Sequence, residues 1–242
     1  MNFFSALACA ALGAISGCVG DEQTAIIHKA HRTYVSDSSE ALDLVKESNA
    51  MCSDWMREAK LDRHVKRWDE HRLIPVYAPD DDRAKQALAI FEKAFERQIF
   101  QPLPDRAALE SGGKGIIFSI GTAMPPGEPA DKRCRGNVSV GPNRADMPQT
   151  LANPDTGEFT GIAWVNLDCY DQVNGGKADV AVAVHELGHA MGMGKEITQS
   201  GEPPVTERFW HLMWKLYELP IGTRLEGNGF CLRPNQTSTQ VK

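Results

Sequence analysis

Two histidines four residues apart, with a glutamate directly after the first, give this 242-residue chain its clearest chemical signal: His185-Glu186-Leu187-Gly188-His189. Residues i and i+4 of an α-helix share one face, so both imidazoles can direct a nitrogen at a single ion. Glu186 is turned about 100° from His185 around the same axis, which puts its carboxylate beside such an ion rather than on it. From there it can take a proton from a metal-activated water and later return one to a leaving amine. A five-residue pattern recurs by chance, and on an exposed helix it would be two solvated histidines. The surrounding residues argue otherwise. Val180, Val184, Leu187 and Met191 recur at helical spacing within residues 178–191, so the helix is expected to be buried, and a buried histidine pair needs a partner such as a metal. Gly192 stands where such a helix stops. The expected ion is zinc, with His185 and His189 as ligands and Glu186 as acid and base.

The longer string His185-Glu-Leu-Gly-His-Ala-Met-Gly192-Met-Gly-Lys195 resembles the extended HExxHxxGxxH motif of metzincin zinc peptidases, most closely the matrixin branch. Upstream, Asn153-Pro-Asp-Thr-Gly-Glu158 and Ile162-Ala-Trp-Val-Asn166 are similar to the turn and edge strand along which matrixins lay an extended substrate. Downstream, Phe209-Trp-His-Leu-Met213-Trp resembles the Met-turn, whose methionine lies under the metal. The resemblance covers roughly residues 72–220. It implies a zincin-like α+β fold, a small C-terminal subdomain from about residue 193, and hydrolysis of peptide bonds.

One position departs from that pattern. The third histidine is replaced by Lys195, whose ammonium is repelled by a cation rather than bound to it. Candidates for the missing ligand are Glu196, Glu202, Glu207 and His211. Glu207 follows His189 at a spacing close to that of gluzincins, which take a glutamate from a later helix. Gly192 ranks Glu196 and His211 above it. If no third ligand exists, the chain is a peptidase-like binding protein without hydrolytic activity. A zinc hydrolase acting on a non-peptide substrate is a third reading, because no residue identified here reads the substrate. Residues 206–219 also read as a helix with Phe209, Met213, Leu216 and Tyr217 inward, in which case Met213 is a core residue. Trp210 and Trp214 could line a substrate pocket, although core packing is the commoner role.

These groups need a scaffold. Asp37-Ser-Ser-Glu40 offers a helix N-cap, and Leu42, Val45, Cys52, Met56 and Ala59 follow at helical spacing, giving one or two amphipathic helices over residues 38–69. Leu73-Ile-Pro-Val-Tyr77 reads as a strand. Asp80-Asp-Asp82 starts a helix, favoured there by its acids, with Ala84, Leu88, Phe91, Phe95 and Ile99 on one face. Gly115-Ile-Ile-Phe-Ser-Ile120 has no polar face before Ser119 and is expected at the centre of a sheet. Asn137-Val-Ser-Val140 and residues 161–166 are further strands. The order predicts an α+β domain with a mixed, twisted sheet.

At the N-terminus, residues 2–15 form an uncharged apolar run too short to span a bilayer, which suits a signal peptide. Ile15-Ser-Gly-Cys18 resembles the bacterial lipobox, implying cleavage after residue 17 and lipidation of Cys18. The expected division is a signal peptide over 1–17, a helical extension or prosegment over 18–70, and a peptidase-like domain over 71–242. Cys52, Cys134, Cys169 and Cys231 then remain as a set of four, consistent with two disulfides in an exported protein. The net charge of −6 provides no basic field for nucleic acid. The chain is therefore expected to be a monomeric, lipid-anchored protein of a bacterial membrane, acting on a protein or peptide.

Overall fold

The computed structural model describes residues 19–50, 63–120, 136–139, 151–167, 178–197 and 201–226. Its centre is a five-stranded sheet ordered β2-β1-β3-β5-β4, made of Phe100–Pro102, Ile74–Tyr77, Gly115–Ile120, Ile162–Leu167 and Gly136–Ser139 respectively. The first four in that order are parallel, and β4 runs antiparallel to β5, so the sheet is mixed as expected. β3 occupies the middle. Its unbroken apolar run follows from burial on both faces: Ile116 and Phe118 join the main core, and Ile117 packs with Trp164 and Leu109 on the other side. β5 has neighbours on both sides, which corrects its reading as an edge strand. The edge belongs to β4.

Six helices accompany the sheet among the described residues: α1 Val19–Thr33, α2 Ser39–Ser48, α3 Asp82–Ala94, α4 Arg106–Gly112, α5 Val180–Ala190 and α6 Glu207–Glu218. Capping explains where several begin. Ser38 accepts from the Ala41 amide, Asp81 from those of Arg83 and Ala84, and Asp179 from that of Val182, each meeting amide groups that the helix leaves unpaired. The Asp80-Asp-Asp82 cluster thus acts as a helix start. α3 stops sooner than its apolar spacing suggested. Glu96 takes a left-handed φ of 53°, and the Glu92 carboxylate then accepts from the amides of Ile99 and Phe100 at 3.0 Å, turning the chain into β2. Ile99 therefore belongs to the strand entry, not to the helix.

Two other expectations are corrected. Residues 63–70 are not helical: Val65, Lys66, Arg67 and Trp68 form a buried extended crossing, with the Val65 amide on Thr223 O at 2.9 Å and the Phe159 amide on Arg67 O at 3.0 Å. Residues 207–218 are one continuous helix, so Met213 sits in mid-helix and there is no Met-turn at this position. Phe209, Trp210, Met213, Leu216 and Tyr217 are all buried, which makes the two tryptophans, Trp214 included, core residues.

One connected core contains Ile27 of α1, Leu44 and Val45 of α2, Phe91 of α3, Val184 and Leu187 of α5, and Phe209 of α6. α6 shares this core with α1 and α2. No helix among the described residues is long and apolar enough to cross a membrane. The apolar N-terminal run, Cys18, Cys52, Cys134, Cys169 and Cys231 lie outside the described residues.

Candidate metal centre

α5 carries the His185, Glu186 and His189 side chains. Its inner stripe of Val180, Val184 and Leu187 fixes its rotation against the core, which brings both imidazoles to one side with ring centroids 4.9 Å apart. Each ring is held from behind by a main-chain carbonyl: His185 Nδ1 lies 2.7 Å from Pro204 O, and His189 Nδ1 lies 2.8 Å from Met193 O. A carbonyl can only accept, so Nδ1 carries the proton in both rings, and Nε2 is the nitrogen turned to the site. Phe209 stacks on His185 with centroids 6.2 Å apart.

Glu196 completes the group. Its carboxylate lies 3.1 Å from His185 Nε2 and 3.0 Å from His189 Nε2. The three side chains place one ligand atom each within 4.8 Å of one another, and such a group could hold a metal ion. Both histidines are largely buried, whereas the Glu196 side chain is 55% exposed, so the centre is walled on the helix side and open on the carboxylate side.

The turn from α5 to Glu196 is secured carbonyl by carbonyl. The Met193 amide donates to Gly188 O at 2.9 Å and the Gly192 amide to His189 O at 3.0 Å. Beyond these, Trp68 Nε1 donates to Ala190 O at 2.8 Å, Tyr217 Oη to Met191 O at 3.0 Å, and Asn49 Nδ2 to Gly192 O at 2.7 Å. Gly192 has a φ of 123°, and a Cβ there would meet Leu216 Cδ2 at 2.9 Å and Lys66 O at 3.1 Å. The position therefore excludes a side chain both by conformation and by space. Because the chain leaves the helix this way, Lys195 points into solvent and the next residue reaches the histidines.

The electrostatics follow from burial and from these contacts. Burial raises the Glu186 carboxyl above the usual carboxylate range, an effect that the charges of His189 and His185 only partly oppose. Burial disfavours charge on His189, but the Glu196 hydrogen bond and the Glu186 and Glu196 charges outweigh it, and the net shift is upward. Glu196 is held far below its usual range by hydrogen bonds from His185 and His189. α5 thus presents a buried carboxyl group with raised proton affinity, and the turn after it supplies a carboxylate kept ionised between the two imidazoles.

The other candidates lie elsewhere. His211 Nε2 is 3.2 Å from Ala30 O and from Thr33 Oγ1, at the α1–α6 contact. Glu207 pairs with Lys29 and accepts from Thr33 Oγ1 at 3.2 Å. Glu202 is exposed and does not belong to the converging group. Ser48 and Asn49, which hold the 192–196 turn, gave no local signal, since they act across 146 and 143 residues of chain. The carbonyls of Pro204 and Met193 have no side-chain signature at all. No protein-family model matches this chain, and neither a curated protein nor a solved structure matches it.

Proposed function

We propose that the chain is a zinc-dependent endopeptidase in which His185, His189 and Glu196 are the metal ligands and Glu186 is the acid and base. The observation that carries this reading is the convergence of two imidazole Nε2 atoms and a carboxylate beside a buried, protonatable Glu186. The donor set suits the ion: nitrogen and oxygen ligands, three from the protein with one side open, are the pattern of catalytic zinc. Main-chain acceptors behind both rings orient them, as the outer partners of zinc histidines do. When bound, zinc supplies Lewis acidity, lowering the pKa of a coordinated water towards neutrality and polarising a scissile carbonyl.

The residues of the chain do the rest. Glu186, with its raised proton affinity, accepts a proton from the attacking water and delivers one to the departing amine nitrogen. Glu196 substitutes for the third histidine of the metzincin pattern, one residue beyond the position taken by Lys195. With a ligand in that place, the loss of the histidine no longer argues for a non-catalytic binding protein. The metzincin likeness is retained for the active-site helix and for the glycine that ends it.

Elemental analysis after exhaustive dialysis, paired with Glu186→Gln, tests the reading. About one zinc per chain in both proteins is expected, with peptide hydrolysis reduced by about 10²–10⁴-fold in the variant. Absence of zinc from the parent, or full activity in Glu186→Gln, would overturn it. We also propose that the protein is exported and held at a bacterial membrane through lipidated Cys18. Cys18→Ala should then move it from the membrane to the soluble fraction, and unchanged sedimentation with membranes would exclude lipid anchoring at that residue.

A further inference from the structure

Glu196 is the ligand with the least support of its own. It lies seven residues past His189, beyond the end of α5, and its half-exposed carboxylate hydrogen-bonds only His185 and His189 among the described residues. Its placement therefore depends on how the main chain before it is held. That hold comes from the end of α2. Ser48 Oγ donates to Lys195 O at 2.7 Å and accepts from the Gly194 amide at 3.2 Å, and Ser48 O accepts from the Lys195 amide at 3.1 Å. Asn49 adds Nδ2 to Gly192 O at 2.7 Å and to Lys66 O at 2.6 Å, with its Oδ1 accepting from the Lys66 amide at 2.9 Å. Both side chains are fully buried, so these bonds are shielded from competing water.

We propose that Ser48 and Asn49 are positioning residues for the metal centre, and that the N-terminal helical segment is a permanent part of the site rather than a detachable inhibitor. This rests on the zinc reading above. Two adjacent residues grip positions 192, 194 and 195, leaving Glu196 as the next link, already aimed at the imidazoles. Without the Ser48 hydroxyl, Gly194 and Lys195 lose two of the hydrogen bonds that define their path, and Glu196 must be ordered at the moment of metal binding. Loss of the segment would strip the metal site of its third ligand instead of uncovering it.

Ser48→Ala is the cleaner test, because Asn49→Ala would orphan three buried main-chain groups and endanger folding. Leu44→Val is the control, a core change on the same helix whose side chain makes none of these hydrogen bonds. Zinc affinity would be measured on the full chain by competition with a chromophoric chelator. The ligand field would be read from the visible absorption of the cobalt-substituted protein. Ser48→Ala should weaken zinc about tenfold and alter the cobalt spectrum, as loss of an outer partner of a ligand does. Leu44→Val should leave both as in the parent, even where it lowers the melting temperature as much. Unchanged zinc affinity in Ser48→Ala, or an equal loss in both variants, would overturn the proposal. Should the parent bind no zinc, the zinc reading falls, and the clamp is judged on the metal-free protein. There the side-chain ¹⁵N resonances of His185 and His189 should move in Ser48→Ala, and unmoved resonances would refute the clamp independently.

Discussion

Glu196→Gln separates a metal ligand from a residue that merely hydrogen-bonds two histidines. The change is isosteric and the side chain is 55% exposed, so the metal-free variant should still fold; it loses the ionised carboxylate that His185 and His189 stabilise, so its own metal-free melting temperature is the baseline from which the effect of zinc is measured. Structural zinc sites bind with about 10–16 kcal/mol through four ligands, or about 2.5–4 kcal/mol per ligand. Replacing an anionic ligand by a neutral amide should thus raise the zinc dissociation constant by about 10²–10³-fold. At free zinc of about 100 times the parent's dissociation constant, the parent gains about 2.7 kcal/mol of stability from binding. A variant binding about 10²–10³-fold more weakly gains only about 0.1–0.4 kcal/mol. For a chain of this size, each kcal/mol moves the melting temperature by about 2–4 °C, so zinc should raise the parent by about 5–11 °C and the variant by no more than about 2 °C. Differential scanning fluorimetry with and without zinc reads both. If Glu196→Gln kept the parental shift while His189→Ala lost it, Glu196 would be no ligand, and the inference from geometry to coordination would be wrong.

Gly188 lies under the Phe209 ring: a Cβ there would collide with Cε2 and come within 2.6 Å of Cζ. Phe209 is buried and flanked edge-on by Phe91 and Trp210, so it cannot yield cheaply. Gly188→Ala should cost about 2 kcal/mol net, the overpacking penalty less the gain in helix propensity, and lower the melting temperature by about 4–8 °C. A variant as stable as the parent would show that α5 and α6 are less closely packed than described. At the start of α3, the Arg83 hydrogen bond depresses the Asp81 pKa below its usual 3.8 despite partial burial. A depressed folded-state pKa gives stability that is present above the unfolded value and is lost as pH falls through the folded one. Asp81→Asn keeps a capping oxygen but removes the charge, so urea denaturation should show a deficit of about 1 kcal/mol at neutral pH that closes below about pH 4. An unchanged deficit in acid would mean that the ionised carboxylate is not its source.

What the sequence made legible was local. The i, i+4 histidines, the apolar stripe that orients them and the glycine after them depend on residues within one or two turns, and α5 carries them as the spacing requires. The candidates for a third ligand were narrowed only to four residues, because the path after Gly192 is set by distant groups that no local pattern encodes. Met213 was ambiguous for a related reason: the same apolar string suits a turn under a metal or a buried helix, and only the packing of α6 against the core decides it. α1 falls within the helical extension expected over 18–70 but its bounds were not legible, since few of its residues are apolar, Ile26, Ile27 and Ala30 among them, too few to show a helical period until the partner surface is known. β2 was hidden by its three-residue length and by Pro102, features natural to a sheet edge but easily read as a helix end.

The contact between α1 and α6 joins parts of the chain 174 residues apart, as the Thr33–Glu207 hydrogen bond measures. At about 5–20 residues per second, a ribosome needs about 10–35 s to bridge that interval. During that time Ile27, Leu44 and Val45 await one of their principal partners, since α1 and α2 both pack on α6. α1 and α2 are thus covered only after α6 has been made, although they precede it by more than 150 residues of chain. Such a chain is slow to close but remains threadable, and a nascent form truncated before residue 207 would present its N-terminal helices to chaperones rather than bury them.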